Sequence, residues 1–190
     1  MPNAGAASVI ELALKPIVGL RLSIARLAGN MRVLHFGEVK PHHQGKGTVA
    51  DYALHVQCPW RLVGPDGVIT GSYDLRVGSR ENALADPDDA RAGTMQDVRL
   101  GEWLGGFDEA TRSHVSISAA LTVAAVSADP YGGLDIGFSD GRHLQLFPDG
   151  SVVEDWRFFA SGTQGRHLVI EGGRIAEHPG APGQGPAKAE

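Results

Sequence analysis

Short turn sequences that contain glycine recur along the chain, and they constrain its fold more than any other feature. The 190 residues include 26 glycines, about twice the usual share in globular proteins. Asp66-Gly67, Asp140-Gly141, Asp149-Gly150 and Gly172-Gly173 can supply the positive φ angles of tight turns. Because apolar segments flank these pairs, the sequence predicts antiparallel strands joined by turns.

Alternation between apolar and polar residues is typical of a strand with one buried face. Residues 20–24 show this period, and residues 115–125 show it over the longest stretch. The predicted fold class is therefore α+β and mostly β. We expect antiparallel sheets that form a sandwich or a partly open barrel, with short helices at the N-terminus and near Trp103.

Two capping patterns predict the helices. Ser8 and Glu11 have the spacing of a capping box, which predicts a short apolar helix that Pro16 ends. Thr94 with Asp97 predicts a second helical segment, and Gly105 would end it.

The chain is predicted to form a single globular domain over residues 1–177. Residues 78–93 are acidic with few large apolar side chains, so we expect a mobile loop there. Residues 178–190 are rich in proline, glycine and alanine, which predicts a disordered tail.

The two halves of the domain show a similar order of elements, in lobes at about 17–77 and 113–177. Trp60-Arg61 and Trp156-Arg157 are the most distinctive matching pair. An internal repeat would mean that each lobe packs on the other to complete its core. Chance similarity between two strand-rich segments is the alternative, and the sequence leaves both open.

Composition excludes several classes of function. A formal charge of −5 argues against a general nucleic-acid binder, and no apolar run approaches the roughly 18 residues of a membrane span. The single cysteine, Cys58, excludes an internal disulfide framework and a cysteine-cluster zinc site. We expect no cofactor, because no phosphate-binding glycine loop precedes a helix. The absence of a signal-peptide pattern predicts a cytoplasmic protein.

Trp60, Arg61, Trp156 and Arg157 are the candidate ligand-binding residues. Each arginine could stack on an aromatic ring or bind an anion, and a cleft between the lobes would bring the two pairs together. The alternative is that both tryptophans are core anchors.

His35 and His55 are the candidate metal ligands, with His42 and His43 in a nearby polar loop. A separate hypothesis pairs His55 with Cys58 as a base and a thiolate nucleophile. Strand parity argues against that pair, because side chains three positions apart project to opposite faces.

The string Leu54-His55-Val56-Gln57-Cys58-Pro59-Trp60-Arg61, followed by Gly71-Ser72-Tyr73-Asp74, resembles a family of small uncharacterised bacterial proteins. The second half is similar to short bacterial domains of unknown function, through residues 138–141, 154–157 and 172–173. Some of those domains lie near polymorphic-toxin immunity proteins, which implies protein binding. The resemblance carries over no functional residue.

No catalytic constellation is visible, so the leading hypothesis is a non-enzymatic binding or protein-interaction module, of an immunity-like kind. Its partner would be another protein with a basic surface, attracted by the acidic residues of the loop, or a second copy paired through sheet edges. Those acidic residues are Glu81, Asp86, Asp88 and Asp89. The alternative is a small-ligand or anion site between the lobes. A metal or thiol enzyme that uses His35, His55 or Cys58 is a third hypothesis.

Overall fold

A computed structural model describes residues 4–42, 47–74, 94–162, 165 and 167–176. The predicted acidic loop, the predicted tail and His43 lie outside these residues. Within the described part, no helix has the length and apolar character needed to cross a membrane.

Two α-helices, a 3-10 turn and fifteen strands make up the described part of the chain. In chain order they are α1 (Ala4–Leu14), the 3-10 turn (Lys15–Ile17), β1 (Leu22–Ala28), β2 (Met31–Phe36), β3 (Lys40–Pro41), β4 (Thr48–Val49), β5 (Tyr52–Val56), β6 (Trp60–Gly64), β7 (Gly67–Gly71), α2 (Met95–Leu104), β8 (Gly105–Asp108), β9 (Ser113–Ser116), β10 (Val123–Ala128), β11 (Leu134–Phe138), β12 (His143–Leu146), β13 (Glu154–Ala160), β14 (Leu168–Glu171) and β15 (Arg174–Ala176).

The strands form two antiparallel sheets and a small ribbon. The long sheet has the order β15-β14-β13-β5-β2-β1-β9-β8, the short sheet has the order β10-β11-β12-β6-β7, and β3 pairs with β4. Neither sheet is closed. This architecture confirms the predicted α+β, mostly β fold class.

The two halves of the chain exchange strands. β6 and β7 leave the first half and pair with β12, where Trp60 lies opposite Leu146. β13 and β14 do the reverse and pair with β5, where Trp156 lies opposite Val56. Each sheet is therefore completed by a hairpin from the other half.

Matching irregularities accompany this exchange. A bulge separates Leu22 from Ile24 in the β1–β2 pair, and another separates Val123 from Ala125 in the β10–β11 pair. Between the sheets, Leu22 N–H donates to Leu121 C=O at 3.1 Å, and Val123 N–H donates to Leu20 C=O at 2.9 Å. These two hydrogen bonds join the sheets where β1 and β10 begin.

One hydrophobic core lies between the sheets and draws side chains from both halves. Helix α1 contributes Ile10 and Leu14, which are fully buried. Burial of each large apolar side chain contributes about 1.5–3 kcal/mol. The core therefore fixes which face of each strand points inward.

The predicted N-terminal helix exists, but its predicted cap is wrong. Helix α1 begins at Ala4, so Ser8 lies inside it, and the Glu11 carboxylate instead accepts the Ala128 N–H at 3.1 Å. The alanine-rich start favours helix upstream of Ser8. The second helix agrees with its prediction: Thr94 and Asp97 form a capping box, and Gly105 ends α2 with φ +82°.

The long strand predicted over residues 115–125 is also wrong. β9 ends at Ser116 in the long sheet, and β10 begins at Val123 in the short sheet. The chain crosses between the sheets in that interval, and Ile117 is 74% exposed there. The alternation of apolar and polar residues continues through this crossover, although the crossover is not part of either sheet.

Candidate ligand pocket

The structure does not bring the four predicted ligand-binding residues together. Trp60 and Trp156 point into the core and are 8% and 0% exposed. Arg61 and Arg157 are their chain neighbours on the strands, so they point to the outer faces of the two different sheets. Strand alternation therefore separates each arginine from its tryptophan.

Both arginines already have partners on those outer faces. Arg61 donates from Nε to Gln145 Oε1 at 2.7 Å, and its guanidinium lies 4.9 Å from the centre of the Phe147 ring. Arg157 forms an ion pair with Glu154, and the hydrogen bond to that carboxylate raises the pKa of the guanidinium.

A cavity of about 270 Å³ lies at one end of the sandwich, where β5 leaves the long sheet and β6 enters the short one. We call this region, formed by residues 27–32, 56–60, 72–73 and 96, the Trp60 end. Of the four predicted ligand-binding residues, Trp60 alone lines the cavity. Pockets with apolar walls and a few fixed polar groups are the usual form of a small-molecule site.

Arg32 is the one charged residue among those that line the cavity, all of which the structure describes. It lies on β2 with the same parity as Leu34 and Phe36, so its side chain points inward and is 2% exposed. A buried cation is stable only when it is paired and hydrogen-bonded.

Helix α2 supplies the partners of Arg32. The guanidinium donates to Asp97 Oδ1 at 3.1 Å and to the side-chain oxygen of Gln96. It also lies 5.8 Å from the centre of the Trp60 ring, within the range of a cation–π interaction. The capping box thus places Asp97 where it pairs with Arg32.

Asp97 is held as a carboxylate. Partial burial raises the pKa of its carboxyl, but hydrogen bonds from His114 and Thr94 and the charge of Arg32 outweigh this and hold that pKa well below its usual range. Burial lowers the pKa of the Arg32 guanidinium, while Asp97 raises it. The buried Arg32 and the partly buried Asp97 form a charge-balanced pair.

One donor of Arg32 remains without a partner. Its Nε–H is buried, and no acceptor lies within hydrogen-bond distance. An unpaired buried donor costs about 1–3 kcal/mol.

The two tryptophans differ in whether a described residue accepts a hydrogen bond from the indole N–H. The Trp156 indole N–H donates to Gly132 C=O at 2.8 Å. The Trp60 backbone N–H donates to the Ser72 hydroxyl at 2.6 Å, but no described residue accepts from its indole N–H. Trp60 therefore lines the cavity without a described acceptor for its indole N–H, whereas the indole N–H of Trp156 is paired.

Cys58 lines the cavity as a neutral thiol. Burial, followed by the charge of Asp155, raises the pKa of the thiol to about 12, which opposes thiolate formation. His55 lies on the outer face of the long sheet, away from this thiol. The structure therefore does not bring His55 and Cys58 together as a base and a nucleophile.

His35 and His55 share the outer face of the long sheet. Burial, with the nearby charge of Arg26, lowers the pKa of His35 to about 3, and its Nδ1 lies 3.4 Å from the Ala50 backbone nitrogen. Burial and Arg157 lower the pKa of His55 to about 4. In the described part of the chain, no group of three or more metal-ligating side chains forms. The described residues therefore supply no third ligand for the metal site predicted at His35 and His55.

A second, wider depression of about 960 Å³ is lined by Ala6 and by residues 130–131, 148–150 and 172–175. Its charged residues, Asp149 and Arg174, are both exposed, and it has no counterpart of Arg32. The smaller cavity is the better candidate, because its wall holds the buried side chains of Arg32 and Gln96, which hydrogen bonds fix in place.

Sequence reasoning missed Arg32, Gln96 and Asp97 as site residues. A signal for the first was present in the sequence, since Arg32 has the same strand parity as Leu34 and Phe36, two apolar residues that lie in the core. The pairing with α2 could not be seen, because 64 and 65 positions separate the partners. Comparison of the chain with known families, curated proteins and solved structures found no match.

Proposed function

We propose that the protein is a non-enzymatic binding module that holds a small ligand in the cavity at the Trp60 end. The observation that carries the proposal is the cavity of about 270 Å³ itself, whose wall combines apolar side chains and Trp60 with a buried Arg32 that Gln96 and Asp97 hold in place. A pocket with apolar walls and a few fixed polar groups is the usual form of a small-molecule site.

This proposal favours the small-ligand hypothesis over the protein-interaction hypothesis. The latter depends on Glu81, Asp86, Asp88 and Asp89, which lie outside the described residues, so it stays a prediction. The small-ligand hypothesis now depends on Arg32, Trp60 and helix α2 instead of on Arg61, Trp156 and Arg157.

Native mass spectrometry on protein purified without a chelator tests the proposal. We expect a retained small molecule in the wild type and its loss from Asn30→Trp, since Asn30 is an exposed residue at the cavity rim. The matched control is Ala124→Trp, which adds the same side chain at an exposed position of β10. Arg61→Ala and Arg157→Ala should retain the molecule, because both side chains lie on outer faces.

The outcomes separate the two hypotheses. Equal retention by Asn30→Trp and by the wild type would place the ligand elsewhere and overturn the proposal. If the wild type carries no molecule and a broad metabolite library leaves its melting temperature unchanged, the protein-interaction hypothesis leads again.

A further inference from the structure

Strand β8 (Gly105–Asp108) ends the long sheet, and no described strand pairs with its outer side. We propose that a second copy of the chain pairs there, with the two β8 strands antiparallel and the two Phe107 residues opposite each other. The two long sheets would then form one continuous sheet across a two-fold axis. This surface is separate from the cavity, because no residue of β8 lines it.

The register between β8 and β9 shows which backbone groups of β8 face outwards. Ile117 N–H donates to Leu104 C=O at 2.9 Å, and hydrogen-bonded pairs alternate along antiparallel strands. Gly106 and Asp108 therefore bond to β9, whereas Phe107 turns its N–H and C=O to the open edge. Two copies of Phe107 can exchange two hydrogen bonds with each other, which is the arrangement that a two-fold axis requires.

The backbone groups at the outer edges of the short sheet are already in use. On β10, the Ala128 N–H donates to the Glu11 carboxylate at 3.1 Å. On β7, the Gly71 N–H donates to the Asp74 carboxylate at 3.1 Å, and the Gly71 C=O accepts from Gln96 at 2.9 Å. These edges are therefore covered by the chain's own side chains.

The two edges of the long sheet differ from each other. β15 has only three residues and begins with the exposed Arg174, and short strands and charged side chains both discourage edge pairing. β8 pairs with β9 in an unbroken register, and its sequence Gly-Gly-Phe-Asp contains no proline and no basic residue. Of the terminal strands that the structure describes, β8 is the one best suited to accept another strand.

Exposed apolar side chains flank this edge on both faces. Phe107 is 49% exposed and lies on the face of His114, with 5.1 Å between the ring centres. Ile117 is exposed on the opposite face beside Gly106, where an added Cβ would lie 2.9 Å from the Ile117 side chain. Pairing would bury part of both surfaces and bring two aromatic rings together across the axis.

The charges along β8 are compatible with this pairing. With Phe107 on the axis, Asp108 of each copy lies opposite Gly106 of the other, so no two charged residues of β8 face each other. The Asp108 carboxylate turns back into its own loop, where it accepts from the Ala110 N–H at 2.9 Å and from the Thr111 hydroxyl at 2.8 Å. The edge is therefore complementary to itself.

Phe107→Lys tests the proposal, because it places two like charges opposite each other on the axis. Sedimentation velocity of the full chain over a range of concentrations should show that the wild type forms a dimer. Phe107→Lys should raise the dissociation constant of that dimer at least about tenfold. The matched control is Val68→Lys, the same change at an exposed position of β7, which should leave the constant unchanged.

Phe107→Cys tests the register. The Cα atoms of a hydrogen-bonded antiparallel pair lie about 5.5 Å apart, a distance that a disulfide can bridge. Mild oxidation should therefore link two copies of Phe107→Cys, whereas Val68→Cys should stay unlinked. The wild type gives the background, since Cys58 is buried. If circular dichroism shows that Phe107→Lys does not fold, the two cysteine variants decide the question.

Three outcomes would overturn the proposal. The first is a wild type that stays monomeric at every concentration, which would leave the edge to a different protein. The second is a dimer that Phe107→Lys and Val68→Lys weaken equally. The third is equal disulfide formation by Phe107→Cys and Val68→Cys.

Discussion

Trp60 and Trp156 occupy matching places in the two sheets, yet their surroundings differ. At Trp156, the turn between β10 and β11 spans residues 129–133, and its Gly132 C=O accepts a hydrogen bond from the indole N–H. At Trp60, the turn between β1 and β2 is only Gly29-Asn30, and it leaves a cavity of about 270 Å³. We call the region around residues 127–135 and 145–150 the Trp156 end.

A second difference lies on the strand that follows each turn. Arg32 is four residues before Phe36, which pairs across the bulge of β1, and Leu134 is four residues before Phe138, which pairs across the bulge of β10. The Trp60 end therefore has a buried cation where the Trp156 end has a leucine. A short turn and one charged side chain therefore distinguish the candidate site at Trp60 from the region around Trp156, where the wider depression has no buried cation in its wall.

The largest effect is expected when Arg32 is replaced by leucine, the residue at the matching position of the Trp156 end. Arg32→Leu should lower the free energy of unfolding by about 3 kcal/mol, because it leaves Asp97 and Gln96 without their buried partner. Urea denaturation measures this. The control is Thr94→Ala, which removes only the helix cap and should cost about 1 kcal/mol. Equal losses for the two variants would show that the ion pair adds nothing.

Replacement of each tryptophan by phenylalanine compares the two indoles directly. Trp156→Phe should lower the free energy of unfolding by about 2 kcal/mol, since it removes a buried hydrogen bond and leaves Gly132 C=O unpaired. Trp60→Phe should cost about 1 kcal/mol, because no described acceptor is lost. Thermal and urea unfolding of both variants provide the measurement. A larger loss for Trp60→Phe would contradict the assigned difference.

The smallest effect concerns acid stability. Burial and Arg157 lower the pKa of His55 to about 4, while Gln145, at the matching position beside Arg61, does not titrate. The unfolded chain therefore takes up a proton first as the pH falls from about 6.5 towards 4, and the wild type loses stability over that window.

His55→Gln places the residue of the matching position in the short sheet, Gln145, at position 55. It should reduce the loss of unfolding free energy between pH 7 and pH 5 by about 1 kcal/mol, a figure discounted for the partial exposure of His55. Unfolding curves at both pH values measure it. His35 remains in both proteins as an internal reference. An unchanged difference between the two pH values would mean that His55 titrates normally in the folded protein.

Strand alternation made the fold class predictable, because burial of one sheet face imposes a period of two. The same rule failed over residues 117–122, where the chain crosses between sheets and the pattern continues without pairing. The predicted internal repeat stays a prediction. The exchange of β6–β7 for β13–β14 was not visible, since sequence order does not state which strands become neighbours.

The candidate site was less predictable for a physical reason. Its essential partners, Arg32 on β2 and Asp97 on α2, meet only after the sheets have formed. Arg61 and Arg157 were candidate ligand-binding residues because each follows a tryptophan. Neighbouring residues on a strand point to opposite faces, however, so both arginines lie on the outer faces of the sheets. The informative feature was instead a charged residue with the parity of the core.

The strand exchange has a consequence for how the protein is made. Val56 pairs with Trp156, one hundred positions later, so the edge of β5 that faces away from β2 has no partner until β13 has left the ribosome. During that interval the edge of β5 and the unpaired β6–β7 hairpin are open to other chains. Such distant pairings slow folding and favour aggregation. The rate of synthesis and the access of chaperones to the nascent chain should therefore influence the yield of this protein more than its final stability does.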